Sequence, residues 1–264
     1  MAPITPTSAV APSWQQEVVS FVMKRKKVSG GFSATPRLPA TIQDTYHALR
    51  ILTTLGRHNF APSPHDDGPL LEYLTRARQS EQHSAKVAFQ RLASCQLAGA
   101  ESECDAIVGF VHRRLQETTE LEERYYCRRM IAEIARQDGP EFCLMPAPAT
   151  PWSFRTASDL WMLLSLSQEQ SERAKGLAEW LRACQTYDGG FGFLPGTTSF
   201  MENGYDALRA LQMLGSAPMQ RQGCRAFIMA CRTRTGGFAR KGGATAFLSS
   251  TWHAVASLEL LNQE

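Results

Sequence analysis

Gly-Gly-Phe occurs three times in this chain, ending at Phe32, Phe191 and Phe238, and the residues around it recur with it. Eleven residues before each Phe stands an aromatic: Phe21, Trp180 and Phe227. Fourteen residues after each stands another: Tyr46, Tyr205 and Trp252. Beyond that second aromatic, Ala48, Ala207 and Ala254 share one offset, and Leu52, Leu211 and Leu258 another. Gly56, Gly215 and Asn262 close the pattern, where a helix end favours left-handed backbone. Each unit therefore reads as a helix, a glycine loop and a second helix. The glycines supply the turn, and the Phe is expected to plug between neighbouring hairpins.

Apolar residues recur three and four apart over nearly all of the remaining chain, and period-two alternation of useful length is absent, so the fold is expected to be all-α. The last two units lie 47 residues apart, from Phe191 to Phe238. One such period before Asp206, Asp159 and Leu160 mark a worn copy without its Gly-Gly-Phe. The segment 70–135 adds four helical stretches with weaker likeness. The total is about eleven helices in five to six hairpins. A helical hairpin cannot bury its apolar face alone, so such units stack into a curved solenoid or close into a ring. Residues 1–13 carry three prolines and no charge and read as a flexible tail, leaving 14–264 as one domain.

Lys plus Arg is 28 against 25 Asp plus Glu, a net charge of +3, without the broad basic surface that nucleic-acid binding needs. The basic run 24–27 reads as a solvated helix end. Apolar stretches such as 160–166 are far too short to cross a bilayer. The seven cysteines form no Cys-x-x-Cys pair, and no signal segment opens the chain, which points to reduced, mostly buried thiols in a cytoplasmic protein.

These repeats resemble those of protein prenyltransferase β subunits, a family related to squalene and terpene cyclases. The run from Cys224 to Cys231, then Gly236, Gly237 and Phe238, then Trp252 and His253, is similar to the final repeat of a Rab geranylgeranyltransferase β subunit. Cys184, Asp188 to Gly192, Pro195 and Gly196 resemble the family's core repeat. The resemblance implies an α/α toroid, complete or incomplete, whose inner helices line an apolar funnel that binds an isoprenoid. It also implies a zinc set of Asp-x-Cys before one aromatic and His after a later one. His253 matches the His, but Glu202 stands at the Asp position and Gly204 at the Cys position. A catalytic zinc needs all its donors, so thiol activation in the family manner is in doubt.

Other donors stand nearby in sequence. Glu202 and Asp206 are four apart, on one helix face. Asp206, His47 and His253 share the position after the second aromatic, and Asp159 takes it in the worn copy. His253, Glu202 and Asp206 suit zinc or magnesium chemically, while a metal-free acid/base role and plain helix-end polarity stay open beside that reading. For a diphosphate, the rim cations by position are Arg240, Lys241, Arg37 and Arg155. For the funnel wall, Tyr46, Trp161, Tyr205 and Trp252, with the loop residues Trp152, Phe154, Phe193, Phe200 and Phe247, supply the aromatic surface. His65, Asp66 and Asp67 form the only adjacent Asp pair and read as a loop, unlike the Asp-rich element of the cyclases. Three functions remain: a prenyltransferase or cyclase acting on an isoprenoid, a non-catalytic toroid holding a lipid-like ligand or a protein partner, and unrelated chemistry from the carboxylates and histidines. Self-association is an alternative to a protein partner.

Overall fold

The computed structural model describes residues 13–57, 68–77, 84–99, 104–138, 153–166 and 174–262. The tail to residue 12, Trp152 and the loop holding His65 to Asp67 lie outside them. The elements are α1 (Trp14–Met23), α2 (Ile42–Thr54), α3 (Gly68–Arg76), α4 (Ala85–Leu97), α5 (Cys104–Glu117), α6 (Leu121–Asp138), α7 (Ala157–Leu166), α8 (Ala174–Ala183), α9 (Met201–Met213), α10 (Arg221–Ala230) and α11 (Leu248–Leu260). Among the described residues, extended pairing is confined to isolated bridges. Helix α2 packs on α4, α4 on α6, α6 on α7, α7 on α9, α9 on α11, and α11 back on α2. Six helices thus close a ring. Outside it, α1, α3, α5, α8 and α10 each pack on the inner helix that follows them in the chain. This is an α/α toroid, and the ring is complete.

The Gly-Gly-Phe loops hold the outer wall together. Phe32, Phe191 and Phe238 are fully buried, each worth about 2–3 kcal/mol of apolar burial. Each pairs back across its loop, to Lys26, Gln185 and Arg232 respectively. The first glycine of each motif is left-handed, with φ of 96° at Gly30, 86° at Gly189 and 91° at Gly236. A Cβ there would strike the backbone of the next outer helix: Pro69 at 2.1 Å, Gly223 at 2.2 Å and Glu17 at 2.6 Å respectively. The last contact is the seam of the ring, since it joins the final repeat to α1. Arg232 pairs with Glu17 there, and Trp14 meets Phe238 edge-on at 6.0 Å. The Phe32 and Phe238 amides each donate to the second helix of their own repeat, to Thr45 Oγ1 and Thr251 Oγ1 at 3.0 Å.

Two local expectations need correcting. Gly56 and Gly215 do end their helices left-handed, but no non-glycine residue among those described has positive φ, so Asn262 ends α11 otherwise. The basic run is not wholly solvated either. Arg25 is buried, donating to the Phe21 carbonyl at 2.8 Å and the Ala34 carbonyl at 3.1 Å, with its guanidinium over the Phe21 ring. It caps the end of α1, where a cation suits the free carbonyls.

The middle of the ring is stitched by different chemistry. The Glu123 carboxylate of α6 accepts from the Ala85 amide at the start of α4, at 3.2 Å, and from Arg114 Nε of α5 at 2.8 Å. Helix α7 starts on a reciprocal cap, in which the Asp159 amide donates to Thr156 Oγ1 and the Asp159 carboxylate accepts from the Thr156 and Arg155 amides. Cys95, Cys127, Cys184, Cys224 and Cys231 are free and buried. Burial pushes the last three to about 11 and Cys127 to about 12, which leaves them inert as thiols. No helix among the described residues is long and apolar enough to cross a membrane.

Candidate functional site

The six inner helices enclose a hollow of about 860 Å3. Counted from its first residue, each inner helix turns positions 2, 5 and 6 to that hollow, and all but α4 add position 9. That is the i, i+3, i+4, i+7 face of a helix. Equal positions on neighbouring helices touch, so the helices run parallel and in register. Tyr46 meets Phe89 at 5.9 Å, Tyr125 meets Trp161 at 5.2 Å, Trp161 meets Tyr205 at 5.7 Å and Tyr205 meets Trp252 at 6.2 Å, all between position 5 residues.

Every position 5 is aromatic: Tyr46, Phe89, Tyr125, Trp161, Tyr205 and Trp252. Position 6 completes the circuit. Phe89 reaches Tyr126 at 5.5 Å, Tyr126 lies against Tyr125, and His253 stacks on Tyr205 at 5.3 Å. His253 then meets His47 at 6.2 Å, and His47 returns to Tyr46 at 5.5 Å. The hollow is therefore girdled by an unbroken chain of ring contacts. Offset and edge-on pairs of this kind add about 0.5–1.5 kcal/mol each beyond burial.

Above and below the girdle the wall is polar, which departs from the apolar funnel expected. Position 2 brings Gln43, Lys86, Glu122, Ser158, Glu202 and Ser249; position 9 brings Arg50, Arg129, Ser165 and Arg209. Lys86 pairs with Glu122 at 2.9 Å, and Glu202 of α9 pairs with Arg240 of the loop between α10 and α11. Within the girdle, burial pushes His47 down to about 3, helped by His253 and Lys86, and His253 down to about 4, helped by Lys86. Both imidazoles are neutral at pH 7. His47 is 6% exposed, and its Nδ1 has no hydrogen-bond partner. Asp206 behaves oppositely: burial and then Glu202 push its carboxyl up to about 7, against a hydrogen bond from Ser158. Of the groups in the girdle, Asp206 is the one whose proton is exchangeable near neutral pH.

A match to the prenyltransferase alpha-alpha toroid domain runs over residues 5–196, and a second, overlapping match runs over 112–264. This chain belongs to that family. A search of curated proteins finds no match. Family zinc chemistry does not fit the residues of this toroid. Gly204 brings no donor and faces α10, beside a void of about 10 Å3 lined by Phe191, Cys224 and Phe227. Glu202 is held by Arg240, and among the described residues no three His, Cys, Asp or Glu side chains gather as a metal site. The same donor set fits magnesium no better.

Of the residues singled out from sequence, Tyr46, Trp161, Tyr205, Trp252, His47, His253, Asp206 and Glu202 all line the hollow of the toroid. Asp159 does not. The copies align by where their helices start, and α7 starts 44 residues before α9, so Met162 and not Asp159 sits level with Asp206. Phe200 and Phe247 lie outside the wall because they are the N-cap residues of α9 and α11. Arg240 lies outside too, over the Phe200 ring at 4.1 Å. Sequence reasoning missed Phe89, Tyr125, Tyr126 and the three position 9 arginines. The signal was present in the lone apolar face of α4 and α6, but without Gly-Gly-Phe there was no fixed point from which to count.

Proposed function

We propose that this toroid takes an isoprenoid, or an unsaturated hydrocarbon chain of similar size, into its hollow, with Asp206 as the group that exchanges a proton with it. The observation that carries this reading is the unbroken aromatic girdle around a hollow of about 860 Å3, within the size range of small-molecule sites. Ring faces suit both a polyene and a carbocation, at about 0.5–2 kcal/mol per cation–π contact. A carboxyl near pH 7 serves as donor or acceptor. As acid it adds its proton to one alkene carbon and leaves the cation on the next; as base it removes a proton from the carbon beside that cation, restoring a double bond. The Gly204 position gives no support to thiol prenylation, so isomerisation or cyclisation is the reaction class.

The missing thiolate ligand also favours a second reading, a toroid that holds the same chain without turning it over. Incubation with farnesol, geranylgeraniol and their diphosphates, followed by extraction and mass analysis, separates the two. New hydrocarbon products that vanish in Asp206→Asn support the enzyme. Saturable binding without products supports the holder, and no binding of any chain rejects both.

A further inference from the structure

Each Gly-Gly-Phe loop contains a second turn that the proposed function does not use. It falls three to six residues after the Phe, at Thr35–Leu38, Leu194–Thr197 and Lys241–Ala244. In each, the last amide donates to the first carbonyl at 3.2 Å. In the first two loops the N-cap amide of the inner helix, Thr41 or Phe200, donates back to the Phe carbonyl at 3.0 and 3.1 Å respectively. In the third, Ala239 bridges Ala246. Antiparallel pairing of the two arms sets each turn at the end away from its helix. The turns therefore project beyond the starts of α2, α9 and α11, and because those helices run in register they stand at one end of the ring. A Cβ at Gly196 or Gly243, the third residue of its turn, would meet nothing within 4 Å, so these tips are clear of the body.

Each loop brings one exposed apolar side chain and one cation to that end. Leu38 is 51% exposed and follows the exposed Arg37. Phe193 is 42% exposed, and its carbonyl accepts from the Ala157 amide at the start of α7, beside the segment that holds the exposed Arg155. Phe247, the N-cap of α11, is 42% exposed and shares its loop with the exposed Lys241. Among the described residues, no carboxylate pairs with Arg37, Arg155 or Lys241. The segments 33–41, 153–157, 189–200 and 232–247 contain no Asp or Glu. The carboxylates nearby are engaged: Asp44 by Thr41, Asp159 by the α7 cap, Asp188 by Ser199 and Glu202 by Arg240. On the α4–α6 side of the same end, Glu122 pairs with Lys86 and Glu120 is exposed.

Three apolar tips spread around a ring define a plane and not a groove. Binding energy between proteins gathers in pocketed clusters. A bilayer instead takes separated apolar tips at one depth, and anionic headgroups attract the Lys and Arg beside them.

We propose that the α7, α9, α11 and α2 side of this end docks on an anionic lipid surface. Leu38, Phe193 and Phe247 insert among the headgroups, and Arg37, Arg155 and Lys241 lie against the lipid phosphates. The α4–α6 side, with Glu120, tilts away from the surface. The docking face does not depend on what the hollow holds.

Flotation with vesicles of phosphatidylcholine, alone or mixed equally with phosphatidylserine, tests this face. Binding is expected on the mixed vesicles, weaker on phosphatidylcholine alone, and reduced as salt is raised. Arg37→Gln and Lys241→Gln should each weaken it about fivefold. The double variant Leu38→Ser, Phe193→Ser should weaken it about tenfold or more; where that variant unfolds in urea earlier than the parent, Leu38→Ser alone reads part of the same loss. Tyr187→Ser is the control, since Tyr187 is 98% exposed but sits on the Gly-Gly turn that packs against α10, and its binding should match the parent's. No binding to the mixed vesicles, binding unchanged in the tip and cation variants, or an equal loss in Tyr187→Ser overturns the proposal. So does binding to polyglutamate in preference to vesicles, which would assign the face to an acidic protein.

Discussion

The ring is built in two ways. The first, fifth and sixth repeats join through Gly-Gly-Phe loops, with a buried Phe, a left-handed glycine and backbone contact onto the next outer helix. The middle repeats carry no Gly-Gly-Phe in their sequence; there the Glu123 carboxylate ties α6 to α4 and α5, and α7 begins on its own Thr156–Asp159 cap. Yet both halves present the same inner-helix positions to the hollow, and both put an aromatic at position 5. The outer joints and the inner wall are therefore separate requirements. A repeat can lose its glycine loop and keep its place in the girdle, because the girdle depends only on helix register.

The halves differ again at position 6. His47, Asp206 and His253 belong to Gly-Gly-Phe repeats, whereas the middle repeats carry Gln90, Tyr126 and Met162. The acid–base groups of the girdle thus cluster on the α2, α9 and α11 side, and the middle contributes mostly shape. A bound chain meets two unlike walls.

The largest effect that sharpens this contrast is expected at the seam. Gly236 and Gly99, the second following α4, are both left-handed, at φ 91° and 72°. A Cβ at Gly99 meets nothing within 4 Å, while one at Gly236 strikes the Glu17 backbone. Gly99→Ala should cost about 1–2 kcal/mol from left-handed strain alone. Gly236→Ala should add about 1–3 kcal/mol for the clash. Urea unfolding measures both; equal costs would mean that the loops are turns and not joints.

Next is the response to acid. His47 and His253 have folded values of about 3 and about 4, below an unfolded value near 6.5, so the stability they contribute is present above 6.5 and lost as pH falls toward 4. Asp206, raised to about 7, works the other way: the protonated native form is favoured below its unfolded value, and stability falls as pH climbs from about 4 to 7. Two histidines outweigh one carboxyl, so the protein should unfold more easily at pH 5 than at 6.5. Asp206→Asn should steepen that dependence, and the double variant His47→Gln, His253→Gln should reverse it. Urea midpoints across this range read the slope; an unchanged slope in the double variant would remove the histidines from the account.

The smallest effect lies at Gly204. It occupies the helix position where Thr45 and Thr251 accept from the Phe amide of their own repeats, and a Cβ there meets nothing within 4 Å. Gly204→Thr should stabilise by about 0.5–1 kcal/mol, from helix propensity and one restored hydrogen bond. A loss of stability in thermal unfolding would show that the three loop repeats are not equivalent.

Much of this was legible in the sequence. The Gly-Gly-Phe offsets locate three hairpins, their buried Phe plugs and the aromatics Tyr46, Tyr205 and Trp252, because a left-handed turn and a helical period leave marks at fixed spacing. Trp161 was found as an aromatic, but its neighbour Asp159 was misread. The 47-residue period does not extend to a repeat whose helix begins at a different distance from its loop.

The sequence by itself determined the helices, their apolar faces and the loss of a thiolate at Gly204, since each is a local property of residue type and spacing. Only the tertiary structure decided that the ring closes, that Phe89 and Tyr125 complete the girdle, and that three arginines from α2, α6 and α9 share one level. Those facts depend on which helix ends up beside which, and no spacing along the chain records that.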